Sequence, residues 1–447
     1  MIEDLPGGWQ EAELPAVAEL NMGQSPPSNT YNTKGSGLPF FQGKMEFGKI
    51  YPSPVKYCSQ PAKIAEVGDI LISVRAPVGP TNLCRERSCI GRGLAAIRPI
   101  GDIPSRYLLY YLRNIEPWLS RQGTGSTFTA ISKSDLEQLT LPVAPLVEQR
   151  RIVAKLEKLV GQVDACQQRL ARIPGLLKRF RQAVLAAACS GRLTADLRDA
   201  DDDPDELPQS WSLVDFGSLI ADGPQNGLYK PQSCYGSGTP IVRIDAFYDG
   251  KITNWAELKR LRVTKKELEQ FTLAEGDILI NRVNSPKFLG KSALVQGMPE
   301  LSIYESNMMR LRLDGSRVKP GYAVLYLRSA GGLEELRKNA KHAVNQSSIN
   351  QEDVKGALFV LPPLPEQKEI VRRVEEMFAL ADRIEVRFAE GQKRVDSITQ
   401  AILAKAFRGE LVPTEYELAK AEGRSFESAE ELLERIRKNG GRPTKKK

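Results

Sequence analysis

The chain has 447 residues, 41% hydrophobic and 26% charged, a balance that suits two or three globular domains and excludes a fibrous or disordered polymer. Its formal charge of +8 permits a polyanionic partner without requiring one. Six cysteines with no CxxC pair, and the single histidine His342, exclude a zinc site of ordinary spacing and supply triad chemistry poorly.

No secretory leader or membrane-length apolar run opens the sequence, so a cytoplasmic protein with reduced thiols is expected. Leu5-Pro6-Gly7-Gly8-Trp9 comes first. Residues 21–50 follow, rich in Gly, Pro, Asn and Ser, and read as turns and surface loops. Val67-Gly68-Asp69-Ile70-Leu71-Ile72 reads as a turn feeding a buried strand over Asp69–Val74. A helix is expected near Tyr107–Asn114 and a polar loop at Gly123–Thr127. The stretch LPVAPLVEQ, from Leu141, places prolines before Glu148-Gln149. Proline is tolerated before and at a helix start but not inside, so a long helix is predicted from there to 193. Its apolar positions Ile152, Leu156, Leu159, Val163, Cys166, Leu170, Ile173, Leu177, Phe180 and Val184 alternate in steps of four and three, the heptad pattern of a coiled-coil seam. Cys166 is therefore expected to be buried. Much of the basic excess lies here, with ten basic and three acidic residues between 148 and 193. Residues 195–206, ADLRDADDDPDE, form an acidic linker.

The same landmarks then recur. Leu207-Pro208-Gln209-Ser210-Trp211 answers the first opening, Glu275-Gly276-Asp277-Ile278-Leu279-Ile280 the first Gly-Asp turn, and Tyr322–Ser329 the first helix. A polar loop at Ala343–Ser348 precedes LPPLPEQ, which starts at Leu361. The second seam runs Ile370, Val374, Met377, Ala381, Ile384, Phe388, Gly391, Val395, Ile398, Ile402, and Gly409-Glu410-Leu411 answers Gly191-Arg192-Leu193. Trp211 follows Trp9 by 202 positions, Gly276 follows Gly68 by 208 and Ile370 follows Ile152 by 218. Residues accumulate inside the globular half while the helix stays in register. Residues 222–252 match 21–50 in composition only. A short helix is expected at 427–438, then a basic, disordered tail.

The predicted fold is α+β. Two mixed α/β domains, 1–147 and 207–365, are separated by two long helices, 148–193 and 366–411, in an antiparallel coiled coil with an internal pseudo-two-fold duplication. Residues 194–206 are linker, and 412–447 carry the last helix and tail. Two unrelated amphipathic helices are the competing reading, and the in-register repeat opposes it.

No Gly-rich phosphate loop and no Asn/Asp-Pro-Pro-Tyr/Phe motif is present. Asp69 and Asp277 could be imagined as nuclease carboxylates ahead of Lys291. The plainer reading is a turn aspartate before each strand, since the first copy has no matching lysine. What remains are groups suited to base edges and phosphates. In the first domain these are Gln24, Ser25, Tyr31, Gln42, Lys44, Arg75 and Arg92. In the second they are Asn226, Tyr229, Lys230, Arg243, Arg282, Asn284 and Lys287. A solvated surface role competes for each one singly; the signal is in the set. The small-residue runs Ala186-Ala187-Ala188 and Ala404-Lys405-Ala406 would allow close helix approach, by a partner or within the fold.

Two LPxxW openings, two Gly-Asp-Ile-Leu turns, two LPPLPEQ-type helix starts and the Gly-Arg-Leu and Gly-Glu-Leu helix ends resemble the specificity subunit of type I restriction–modification systems over about residues 5–412, the second copy being closely similar to the type IA branch. LPVAPLVEQ departs slightly from the usual LPPLAEQ. The resemblance implies two target-recognition domains, each reading one half of an asymmetric, gapped site in double-stranded DNA, with the coiled coil fixing the gap. It implies two methylation subunits that bring S-adenosylmethionine and methylate adenine N6, and two restriction subunits joined through them that bring ATP and Mg. The chain itself would be non-catalytic, with no cofactor or metal and no membrane contact. A self-contained nuclease or methyltransferase, and a coiled-coil scaffold that binds only proteins, are the alternatives to be tested.

Overall fold

The computed structural model describes residues 5–122, 130–198, 206–343 and 346–440. The helices that matter for function are α1 (Ser105–Gln122), α2 (Leu146–Leu170), α3 (Ile173–Cys189), α4 (Pro320–Arg328), α5 (Leu364–Phe407), α6 (Glu415–Glu422) and α7 (Ala429–Lys438). The chain forms two compact units, Met1–Ala171 with Glu390–Lys447, and Arg172–Ala389. Each has its own core.

In the first unit a four-stranded sheet runs in the order Ala18–Met22, Leu94–Pro99, Ile70–Ser73, Thr81–Leu83, beside a five-stranded sheet that includes Leu38–Phe41 and Ser88–Ile90. Gln10–Glu13 pairs antiparallel with Thr140–Val143. Side chains alternate across a strand, and Ile70-Leu71-Ile72 uses both faces. Ile70 and Ile72 enter the main core with α1, while Leu71 enters a second core with Phe41 and Ile90. A strand buried on both sides is uniformly apolar, which is why the Gly-Asp turn is followed by Ile-Leu-Ile. Tyr107 and Tyr111 of α1 donate to the carbonyls of Pro142 and Thr140.

The second unit repeats this plan. Its six-stranded sheet is ordered Ile220–Asn226, Met308–Leu313, Ile278–Asn281, Ser292–Leu294, Lys251–Ile252, Phe247–Tyr248. Ile278 and Ile280 face one core and Leu279 another. Ser212–Asp215 pairs with Leu358–Leu361, and Tyr322 and Tyr326 of α4 donate to Val360 and Leu358.

The long helices pair antiparallel inside each unit. In the first, Ile152 and Leu156 share a core with Leu403, Ala406 and Phe407, while Gln167 reaches Asp396 at 3.4 Å. One number rises as the other falls. In the second, Val184 and Ala188 join Ile370 and Val374, and Arg181 bonds Asp382 at 2.6 Å and Glu385 at 2.9 Å. Ala188 and Ala406 are thus core residues of their own units.

Four expectations need correction. The first spacer helix is not continuous, since α2 ends at Leu170 and α3 begins at Ile173. Pro174 lacks an N–H and its ring clashes with the preceding turn, so the helix restarts there. Gln392 occupies the matching place in the second copy, and α5 runs unbroken for 44 residues, about 66 Å at 1.5 Å per residue. Cys166 is exposed, because the helices meet at that level through Gln167, Gln392 and Asp396. Residues 21–50 and 222–252 contain paired strands, among them Leu38–Phe41 and Tyr235–Val242, whose partners lie far away in sequence. Beyond α5, α6 precedes the expected last helix.

Candidate functional site

Each Glu-Gln pair is a joint. Buried indole N–H groups need an acceptor, and Trp9 donates to Glu148 at 2.9 Å. Glu148 also accepts the backbone N–H of Glu415 at 2.7 Å, and Glu415 is paired with Arg151 and Arg424. Burial pushes the Glu148 carboxyl above the usual range, and the bonds from Glu415 and Trp9 oppose that rise. In the second unit Trp211 donates to Glu366 at 2.8 Å, which also receives Thr194 at 2.6 Å and Arg198 at 2.7 Å. Gln149 and Gln367 donate back to the carbonyls of Ala144 and Pro362, both at 2.8 Å. The opening of each globular domain, the start of the helix after it and the segment beyond the other long helix are thereby fastened together. Gly191 and Gly409, at φ 83° and 75°, end those helices in the left-handed conformation. A Cβ on either would collide with Pro208 or Pro6. Sequence reading found both partners of each joint but not the bond. The signal was present, since a tryptophan and a glutamate recur together in both copies.

Both units also build one backbone knot, from residues that share only a glycine, Gly23 in the first and Gly227 in the second. In the first, the segment Ile90–Leu94 accepts Gln24 N on Ile90 O (3.0 Å), Gly23 N on Leu94 O (2.9 Å) and Val74 N on Gly93 O (2.9 Å), and donates Gly91 N to Phe41 O (2.8 Å). In the second, Tyr304–Met308 accepts Leu228 N on Tyr304 O (2.9 Å), Gly227 N on Met308 O (3.0 Å) and Arg282 N on Asn307 O (2.9 Å), and donates Glu305 N to Val242 O (3.0 Å). The knot gathers candidate residues. Gln24, Gln42, Arg75 and Arg92 surround the first and are exposed, and Ser25 Oγ accepts the Arg92 N–H at 3.3 Å. Lys44 stands two residues beyond Gln42, exposed at the start of the 3-10 turn Lys44–Glu46. Asn226 and Arg282 flank the second, Arg282 donating to Ser306 O at 3.2 Å. The half-exposed Ser306 and Asn307 belong to this surface too, and sequence reading missed them.

Other candidates are spent on the fold or lie apart. Tyr31 stacks on Phe40 with centroids 4.6 Å apart and donates to Pro26 O at 2.6 Å. Lys230 pairs with Glu267 at 2.7 Å. Arg243 pairs with Glu305 at 3.4 Å and lies 5.9 Å from the Tyr235 ring centroid. Asn284 accepts Ser285 N at 2.8 Å. Tyr229, 77% exposed, projects from the run after Asn226, and Lys287 is exposed beside Phe288. The loop Gly123–Thr127 lies outside the described residues, as do Val344 and Asn345 of the second loop; Ser347 there bonds His342 at 2.8 Å.

Asp69 and Asp277 are turn residues. Asp69 takes two bonds from Arg98 at 2.9 Å and the N–H of Glu66, while Asp277 takes Arg312 at 2.9 and 3.2 Å and the N–H of Ala274. Neither converges with another carboxylate, and no group that could hold a metal ion exists among the described residues. Among them, too, no helix is long and apolar enough to cross a membrane.

Residues 6–174 match the family model described as the type I restriction modification DNA specificity domain. The chain is 35% identical over 368 residues to the type I restriction enzyme StySPI specificity subunit of Salmonella potsdam, covering 80% of this chain and 77% of that protein. It is 33% identical over 327 residues to the EcoKI specificity subunit of Escherichia coli K12, covering 72% and 68%. A solved chain from work on complex assembly and conformational transition of the type I R-M system superposes with TM-score 0.69 at 22% identity, over 91% of this chain and 99% of that one.

Proposed function

Because the chain belongs to the type I restriction enzyme specificity subunits, which are non-catalytic, we propose that the two knots centre its DNA-reading surfaces. The first recognition domain (1–147) and the second (207–365) each read one half of an asymmetric, gapped site. One observation carries this: the same backbone bonds recur at Ile90–Leu94 and Tyr304–Met308 while the side chains around them differ. A fixed scaffold with exchangeable side chains lets duplication yield two different readers. Arg75 and Arg92 suit guanine edges or phosphates, and Gln24, Gln42 and Asn307 suit adenine.

The helices act as the ruler between half-sites, as dimer geometry does in two-fold DNA binders. Two methylation subunits dock on the helix and joint regions, carry S-adenosylmethionine and flip adenine out of the duplex for N6 methylation. Restriction subunits join through them with ATP and Mg, in the cytoplasm. This chain contributes position and no reacting group.

The test is a genome-wide N6-methyladenine map with the partner subunits present. Replacing residues 207–365 by a foreign recognition segment should change one half of the motif; change in both halves overturns the modular reading. Removing four residues from each long helix takes out about 6 Å and should shorten the gap or abolish methylation. An unaltered gap overturns the ruler.

A further inference from the structure

The second unit holds a cleft of about 500 Å³ between α3 and the loop that follows Asn284, and its lining includes Lys178, Lys287 and Lys291. Three arginines also line it, and all are engaged. Arg181 bonds Asp382 and Glu385, Arg328 pairs with Asp249 at 3.4 Å, and Arg337 donates to Leu289 O at 2.8 and 2.6 Å. The two lining carboxylates, Asp249 and Glu385, are those same partners. The three lysines have no carboxylate within 4 Å among the described residues. Lys291 is half-buried, its ammonium 3.8 Å from the Tyr248 ring centroid and 4.7 Å from that of Phe247. Burial lowers its pKa, against the pull of Asp249 and Asp245. An anion in the cleft would reverse that desolvation cost.

We propose that this cleft is a sequence-independent clamp for a phosphodiester of duplex DNA, held by Lys178, Lys287 and Lys291. The inference rests on the DNA-reading proposal, because the loop that supplies Lys287 continues directly from Arg282 and Asn284 beside the second knot. The chemistry favours phosphate over protein carboxylate. Arginine forks, which pair carboxylates bidentately, are used up, and lysine is a rotatable point charge that binds phosphate without demanding one geometry. The first unit lacks the clamp. Asp396 stands where the helix repeat would place Lys178. Pro80 stands in the place of Lys291, since Thr81 pairs with Ile72 as Ser292 does with Ile280. The grip is therefore one-sided, at the second half-site only.

The test uses the assembled methylation complex and fluorescence anisotropy, on a cognate duplex and on one with the second half-site altered, from about 50 to 200 mM salt. Each lost phosphate contact should reduce the slope of log K against log salt by about 0.9. Lys178→Gln/Lys287→Gln, both exposed positions, should make it shallower by about 1.8, and adding Lys291→Gln by about 2.7. Both duplexes should weaken together, with their affinity ratio retained. A double-variant slope within about 0.5 of wild type overturns the clamp. So does loss of methylation-subunit binding in gel filtration, which would make the cleft a protein seat. A melting-temperature rise with millimolar ATP that the double variant abolishes, at unchanged slope, would assign the anion to a free nucleotide and overturn it as well. If wild type binds both duplexes equally, the reading proposal fails, while the slope still decides the clamp.

Discussion

Gly409→Ala isolates the joint of the first unit. Gly409 sits at φ 75°, where a Cβ costs about 1–2 kcal/mol. That Cβ would also collide with Pro6 Cγ and lie 3.2 Å from Pro6 Cβ. Overpacking of this kind costs about 1–3 kcal/mol, so a loss near 3 kcal/mol is expected, which lowers the Tm of a unit this size by roughly 6–12 °C. Gly391→Ala, on the same helix, has open space around its Cβ and should stabilise by about 0.5–1 kcal/mol. Calorimetry on the two variants therefore reads opposite signs. Hydrogen–deuterium exchange adds the location: amides of residues 8–13 should exchange faster in Gly409→Ala alone, because Trp9 N bonds Pro6 O at 3.0 Å. A Gly409→Ala protein melting within about 1 °C of wild type would refute the argument that this glycine and Pro6 close the unit.

Glu366→Ala leaves the Trp211 indole, the Thr194 hydroxyl and Arg198 without their shared acceptor, and urea denaturation should show a loss of about 3–5 kcal/mol. Asp277→Asn should cost about 2–4 kcal/mol by the same measurement yet leave the methylated motif unchanged, whereas a changed motif would give that aspartate a role in recognition. Arg92→Ala and Asn307→Ala should each relax one half of the motif, by about 1–3 kcal/mol of base discrimination, read from methylation maps; relaxation in both halves would contradict the assignment. Burial raises the Glu148 pKa, so the folded state binds more protons than the unfolded one, and this group's contribution to stability falls as pH rises from the ordinary carboxylate range through its raised value. Glu148→Gln should remove that slope in urea melts carried upward in pH from the ordinary carboxylate range; an unchanged slope would place the titration elsewhere.

The duplication, the helix starts and the two-faced strands at Ile70–Ile72 and Ile278–Ile280 were legible because each is set by local periodicity or by proline. The break before Ile173 was legible in principle from Pro174, but the heptad count ran through it. Strands inside 21–50 were not, since Tyr31–Asn32 and Leu38–Phe41 owe their existence to Lys56–Cys58 and Ser88–Ile90 and not to their own composition. The knots were hidden for the same reason. Their bonds join backbone atoms distant in sequence, and Gly91-Arg92-Gly93 shares no residue with Glu305-Ser306-Asn307. Listing polar side chains named Arg75, Arg92 and Arg282, which stand beside the knots, together with Tyr31 and Lys230, whose polar atoms bond elsewhere in the fold.

In the second unit the glycine–proline contact joins residues 17 apart, Gly191 and Pro208, whereas in the first it joins Gly409 and Pro6, 403 positions apart. The same contact is thus made in the first unit by segments remote in sequence and in the second by near neighbours. Opening the chain between residues 199 and 205 would leave the bonds of both joints intact. The closure of each unit therefore does not depend on whether its segments are neighbours in the chain, and the residues between the joints can vary without touching it.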